Sequence, residues 1–133
     1  MTNDAKTSRE KARQVVLAAL ERKAERPVAL DVSELTSFAE AFVIVGGRSD
    51  RQERAIADEV VKTLKQAGDP PLGVEGLNEG RWVLIDCNDV ICHVFAPEAR
   101  EHYDLERLWR DAAPIELDLP TEVAAEAESG AAL

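Results

Sequence analysis

Cys87, Cys92 and His93 lie within seven residues, and thiolate with imidazole is a usual ligand set for zinc. Neighbouring residues of a regular strand point to opposite faces, so Cys92 and His93 cannot reach one ion, and a fourth ligand is missing. Buried structural cysteines and a hydrogen-bonded histidine are the expected roles. Asp86 and Asp89 suggest a second chemistry, paired carboxylates for a catalytic Mg2+ as in nucleotide-transferring enzymes. No basic loop nearby would hold a triphosphate, and Asp beside a turn already has a conformational reason to be there. Gly46 and Gly47 stand where backbone N–H groups could bind phosphate, but neither the P-loop pattern nor the three-glycine dinucleotide fingerprint is present. A tight turn is the better reading. His93, His102 and Tyr103 lack a nucleophile to activate, and Ser49 is better used as a helix cap. The residues therefore predict no catalytic site, no metal and no cofactor.

The elements that must position these residues follow from periodicity. Thr7 and Glu10 have capping-box spacing, and Ala12, Val15, Val16, Ala19 and Leu20 then recur on one helical face, predicting a first helix that ends before Pro27. Lys11, Arg13, Arg22, Lys23 and Arg26 make its polar face, read as solvated or as a contact surface. Val28, Leu30 and Val32 alternate as in a strand at or near a sheet edge. Phe42 to Val45 is an unbroken apolar run, as expected of a central strand covered on both faces. Ser49 with Gln52 opens a second helix carrying Ile56, Val60, Val61, Leu64 and Ala67, with Gly68 as its stop before Pro70 and Pro71.

Trp82 to Phe95 reads WVLIDCNDVICHVF, a hairpin turning at Asn88 and Asp89. That turn directs Val83, Ile85, Cys87, Val90, Cys92 and Val94 to one face and Trp82, Leu84, Asp86, Ile91, His93 and Phe95 to the other. Both sets are largely apolar, so the hairpin belongs inside a mixed sheet. Residues 98–109 suit a short helix or two helical turns with Tyr103, Leu105, Leu108 and Trp109 as apolar contacts. Of these, Leu105 and Leu108 are expected to close the core. Residues 1–9 are expected to be a flexible segment, 10–117 one domain, and 118–133 a flexible acidic tail short of large apolar residues.

With 133 residues the chain is long enough for one domain, and 45% hydrophobic residues make it globular, although only six aromatics contribute. Its formal net charge is −10, distributed as +3 over residues 1–26, −2 over 27–68 and −11 over 69–133. Such a chain does not bind DNA or RNA through its overall field, which would require surplus Lys and Arg, but it does attract a basic protein surface. Apolar runs such as residues 41–45 are far below the roughly 20 residues that span a bilayer, and no targeting segment is visible. Two cysteines are too few for a disulfide framework, which agrees with a reducing cytoplasmic compartment. Within the acidic half, Tyr103 and Trp109 stand among Asp104 and Glu106, aromatic anchors interleaved with carboxylates as in protein interfaces.

Taken together, AFVIVGGRSDRQERAIADEV (41–60), VEG (74–76), RWVLIDCNDVICHVF (81–95) and REHYDLERLW (100–109) resemble the Iojap family, the ribosomal silencing factors also called RsfS, over about residues 10–117. The resemblance departs at Cys87 and Asn88, where family members commonly have Tyr and Gly; Asn also tolerates a positive φ, so the turn is expected to survive.

The resemblance implies a single α/β (α+β) domain, a mixed sheet flanked by helices in a nucleotidyltransferase-like topology without the catalytic motif. It further implies a non-enzymatic activity: binding of the large ribosomal subunit through ribosomal protein L-fourteen (uL-fourteen), a block on subunit joining, and repression of translation. A homodimer is a further arrangement the family suggests. The alternatives are a large-subunit assembly factor and an enzyme of the nucleotidyltransferase type. The partner contacts expected are Glu75, Asp86, Asp89, Tyr103, Asp104, Glu106 and Trp109. Reversing Glu106 or Asp89 to Lys is expected to spare the fold, and Trp82→Ala to damage it.

Overall fold

A computed structural model describes residues 4–120. In chain order the elements are α1 (Asp4–Glu21), β1 (Glu25–Asp31), β2 (Ala41–Gly46), α2 (Asp50–Gln66), β3 (Gly73–Glu75), β4 (Trp82–Asp86), β5 (Val90–Phe95), α3 (Pro97–Tyr103), α4 (Leu105–Leu108) and β6 (Ala113–Pro114). The strands form one sheet in the order β3-β4-β5-β2-β1-β6, mixed because β2 and β5 run parallel while the other pairs are antiparallel. This is the single mixed α/β domain expected. β2 and β5 at its centre are buried at every position, which is why their sequences do not alternate.

Local chemistry accounts for the boundaries. Ser49 caps α2, its hydroxyl accepting from the Gln52 N–H at 3.1 Å, while the Gln52 side chain accepts from the Arg48 N–H. Gly68, at φ +78°, ends α2, and the N–H of Asp69 returns to the Leu64 carbonyl at 2.9 Å. Pro27 is tolerated inside β1 because the register with β2 shifts between Glu25 and Val28, with Arg26 at φ +46°. The hairpin turns at Asn88 and Asp89 as its sequence indicates: Asn88 has φ +78°, the Cys87 N–H donates to the Val90 carbonyl at 2.9 Å, and Asp86 pairs with Ile91.

Alternate residues of the strands supply two separate cores. On one face, Val43, Val45, Val83, Ile85, Cys87, Val90, Cys92 and Val94 lie under α1 and α2, which contribute Val15, Val16, Ile56, Val60 and Leu64. Each such side chain contributes roughly 1.5–3 kcal/mol by leaving water. On the other face, Leu30, Phe42, Ile44, Ile91 and Phe95 are covered by residues of the 32–39 connection and of α3 and α4. The hairpin therefore divides its residues between faces as the two-residue turn requires, and Cys92 and His93 point to opposite sides.

Several expectations change. α1 begins at Asp4, so residues 4–9 belong to the helix, and Thr7 lies within it rather than at its start. Ser8 is buried and donates its hydroxyl to Asp89 at 2.7 Å, which holds this first part of the helix on the hairpin. α1 ends at Glu21, so Arg22, Lys23 and Arg26 are not on it. Lys11 is buried, not solvated: its Nζ reaches Asp69 at 2.8 Å, Asp89 at 3.0 Å and the Cys87 carbonyl. Leu108 does not close the core. The helix breaks at Asp104, at φ +50°, and the second piece turns Leu108 outward, 71% exposed. Of the acidic tail expected from residue 118, Leu119 packs partly on the core and residues 121–133 lie outside the described residues.

Candidate docking surface

The α3/α4 side of the sheet carries a row of rings. Trp109 meets Phe42 at a centroid separation of 4.9 Å, Phe42 meets His93 at 5.1 Å, His93 meets Trp82 at 5.9 Å, and Trp82 meets Tyr103 at 4.7 Å. The row starts on α4's C-cap, crosses β2, β5 and β4 in sheet order, and ends on α3. Its cover is incomplete. Phe38, 62% exposed, leans on Phe42 and Trp109, Tyr103 is 49% exposed, and Leu35 and Leu108 also face water. Between the ends, Trp82, Leu84 and Asp86 stand half-buried along one side of β4. Large apolar side chains left accessible together are the mark of a surface used for contact.

Gly76 allows the bend that leads into β4. At φ +91° its α-carbon lies so near the Trp82 carbonyl that a Cβ would come within 2.1 Å of that oxygen, so only glycine fits. Within the row, the Trp82 indole N–H donates to His93 Nδ1 at 3.1 Å, leaving the imidazole proton on Nε2. Burial among these rings lowers the His93 pKa to about 4, so it is neutral near pH 7.

The predicted contact residues fall into three groups. Tyr103 and Trp109 belong to the row, and Asp86 stands beside it, one oxygen accepting from the Asn88 N–H at 3.0 Å. Asp89, Asp104 and Glu106 have internal roles. Asp89 is bound by Ser8 and Lys11; although burial acts against it, those hydrogen bonds hold its carboxyl below the usual range. Asp104 forms the left-handed joint between α3 and α4. Glu106 pairs at 2.8 Å with Arg100, a buried residue that also donates to the Arg26 carbonyl. Glu75 is apart from both groups, exposed on edge strand β3. Reversing Asp89 or Glu106 would set Lys against Lys11 or Arg100, so a loss of stability is expected beside any loss of contact. Strand alternation alone puts Trp82, Leu84 and His93 on this face, whereas Phe38, in the connection between β1 and β2, has no periodic signal that would place it there.

The chemistry of the remaining candidates is structural. Burial pushes the Cys87 thiol up to about 12 and raises that of Cys92, which leaves neither as a ready thiolate. Gly47 makes the close turn expected: a Cβ there would lie 2.9 Å from Glu53 Cγ, and its N–H donates to the Phe95 carbonyl. Among the described residues, no helix is long and apolar enough to cross a membrane.

Comparison with known proteins points in one direction. A family model described as "Ribosomal silencing factor during starvation" matches residues 5–132. A curated "Ribosomal silencing factor RsfS" of Halalkalibacterium halodurans is 42% identical over 98 residues, 74% of this chain and 84% of the relative. A mouse protein named "Mitochondrial assembly of ribosomal large subunit protein 1" is 36% identical over 75 residues, 54% of this chain and 33% of its own length. A crystal structure of a Chromobacterium violaceum protein superposes with a TM-score of 0.75 at 38% identity, covering 77% of this chain and 85% of that one.

Proposed function

The chain belongs to the family of ribosomal silencing factors, and we propose on that premise that it acts in the cytoplasm on the large ribosomal subunit, docking on ribosomal protein L-fourteen (uL-fourteen) and blocking subunit joining by occupying space. Translation is thereby repressed, and no bond is made or broken. The observation that carries the reading is the partly covered ring row with Phe38, Tyr103 and Leu108 exposed along it. The −11 charge of residues 69–133 adds steering toward a basic ribosomal protein.

The test is sedimentation of tagged protein with separated ribosomal subunits at two salt concentrations. Parent protein is expected to travel with large subunits, less at high salt. Tyr103→Lys together with Phe38→Lys, both at exposed positions, should abolish that association in a protein that still folds, its melting temperature lowered by the lost ring contacts. Retained co-sedimentation would sink the surface. The name of the mouse relative favours a second reading, a large-subunit assembly role. A purified subunit-joining assay separates the two: inhibition supports silencing, and binding without inhibition supports assembly.

A further inference from the structure

His93 is costly as a core residue. It is 5% exposed at the centre of β5, and among the described residues its Nε2 has no hydrogen-bond partner. A buried polar group left unpaired costs roughly 1–3 kcal/mol, which an apolar ring in the same place would avoid. Around it, Phe42 stands edge-on at 5.1 Å, Phe95 is stacked at 6.1 Å, and Ile44 and Leu84 are the strand neighbours. The return for that cost is on Nδ1, which accepts from the Trp82 indole. Trp82 is half-buried on β4, so part of its side chain stands at the surface while its N–H is turned inward to His93. What the bond adds is orientation. The indole rests on Phe95 at 5.0 Å and Tyr103 at 4.7 Å, and these packing contacts leave its N–H direction to be set by His93.

We propose that His93 is a positioning residue for docking, holding the Trp82 indole in its binding orientation before the partner arrives, at the expense of an unsatisfied nitrogen in the core. The inference rests on the docking surface proposed above. A side chain already ordered loses less freedom on binding, so the lock improves affinity without touching the partner.

A double-mutant cycle on large-subunit binding tests it. His93→Phe keeps a buried ring and removes the acceptor; it is expected to weaken binding roughly threefold to tenfold, with a melting temperature equal to or above the parent's. His93→Asn, whose amide oxygen can stand near the Nδ1 position, should recover most of the loss. Trp82→Phe lacks the donor, so adding His93→Phe to it should have no further effect. In the free protein, the NMR signal of the Trp82 indole proton should shift in His93→Phe and return toward its place in His93→Asn. Parent-like binding by His93→Phe, equal losses for Phe and Asn, or an undiminished His93 effect in the Trp82→Phe background would each overturn the proposal. If Tyr103→Lys with Phe38→Lys and Trp82→Phe all bind as the parent does, the docking surface itself is wrong and the inference falls with it.

Discussion

The two faces of the sheet are built from alternate residues of the same strands, yet they do different work. The face under α1 and α2 is aliphatic: Val, Ile and Ala side chains interlock, and most are wholly inaccessible. The opposite face is aromatic, and its cover of two short helices and a connection leaves Phe38, Tyr103 and Leu108 in water. The helix-covered face has its two long helices seated on it. The aromatic face combines enough packing for order with enough exposed apolar area to reward a partner. On the proposed function, recognition is confined to the aromatic side, a strand's thickness from the aliphatic core.

This separation is open to direct attack. Ile56, buried in α2, lies on the aliphatic side. Ile56→Ala should lower unfolding free energy by about 3 kcal/mol in urea titration while the folded fraction still binds large subunits with parent affinity. A selective loss of affinity would show that the faces are coupled.

Glu53 gives a smaller effect on the same side. It is fully buried in the first turn of α2, among the described residues both oxygens lack hydrogen bonds, and burial, with the charges of Asp50 and Glu98 and against that of Arg81, raises its pKa from 4.5 to about 7. A carboxyl whose pKa is higher in the folded state favours folding fully below the unfolded value, and that contribution disappears as pH rises through the folded one. Parent stability should accordingly decline between about pH 5 and pH 8. Glu53→Gln should flatten this decline, nearly matching the parent at pH 5 and exceeding it by on the order of 2 kcal/mol at pH 8. An equal gain at both pH values would mean that titration of Glu53 is not the cause.

The smallest change in stability is expected on the aromatic side. Leu108→Ser, at a position 71% exposed, should alter unfolding free energy by less than about 0.5 kcal/mol while weakening subunit binding. A large loss of stability there would erase the distinction between a structural face and a contact face.

How much was legible beforehand depends on the range of the interaction. The hairpin and its two faces could be read because strand alternation is local and Asn88 accepts the positive φ of a tight turn. The cap of α2 could be read for the same reason, since Ser49 and Gln52 act within one turn. Lys11 could not: along α1 it looks like any exposed base, and only the return of Cys87 and Asp89, more than seventy residues later, encloses it. Asp89 and Glu106 passed as free surface acids because their partners, Lys11 and Arg100, are supplied by other turns of the chain.

By itself, the sequence determined the central buried strands, the helix between them, the hairpin register and an acidic second half, together with a family resemblance carried by motifs in order. These depend on side-chain periodicity, turn chemistry and charge, all properties of short stretches. Only the tertiary structure decided which carboxylates are already paired, which aromatics remain accessible, and that His93 accepts from the Trp82 indole. Those outcomes depend on which distant groups meet and how completely they exclude water, and the spacing of residues along the chain does not encode them.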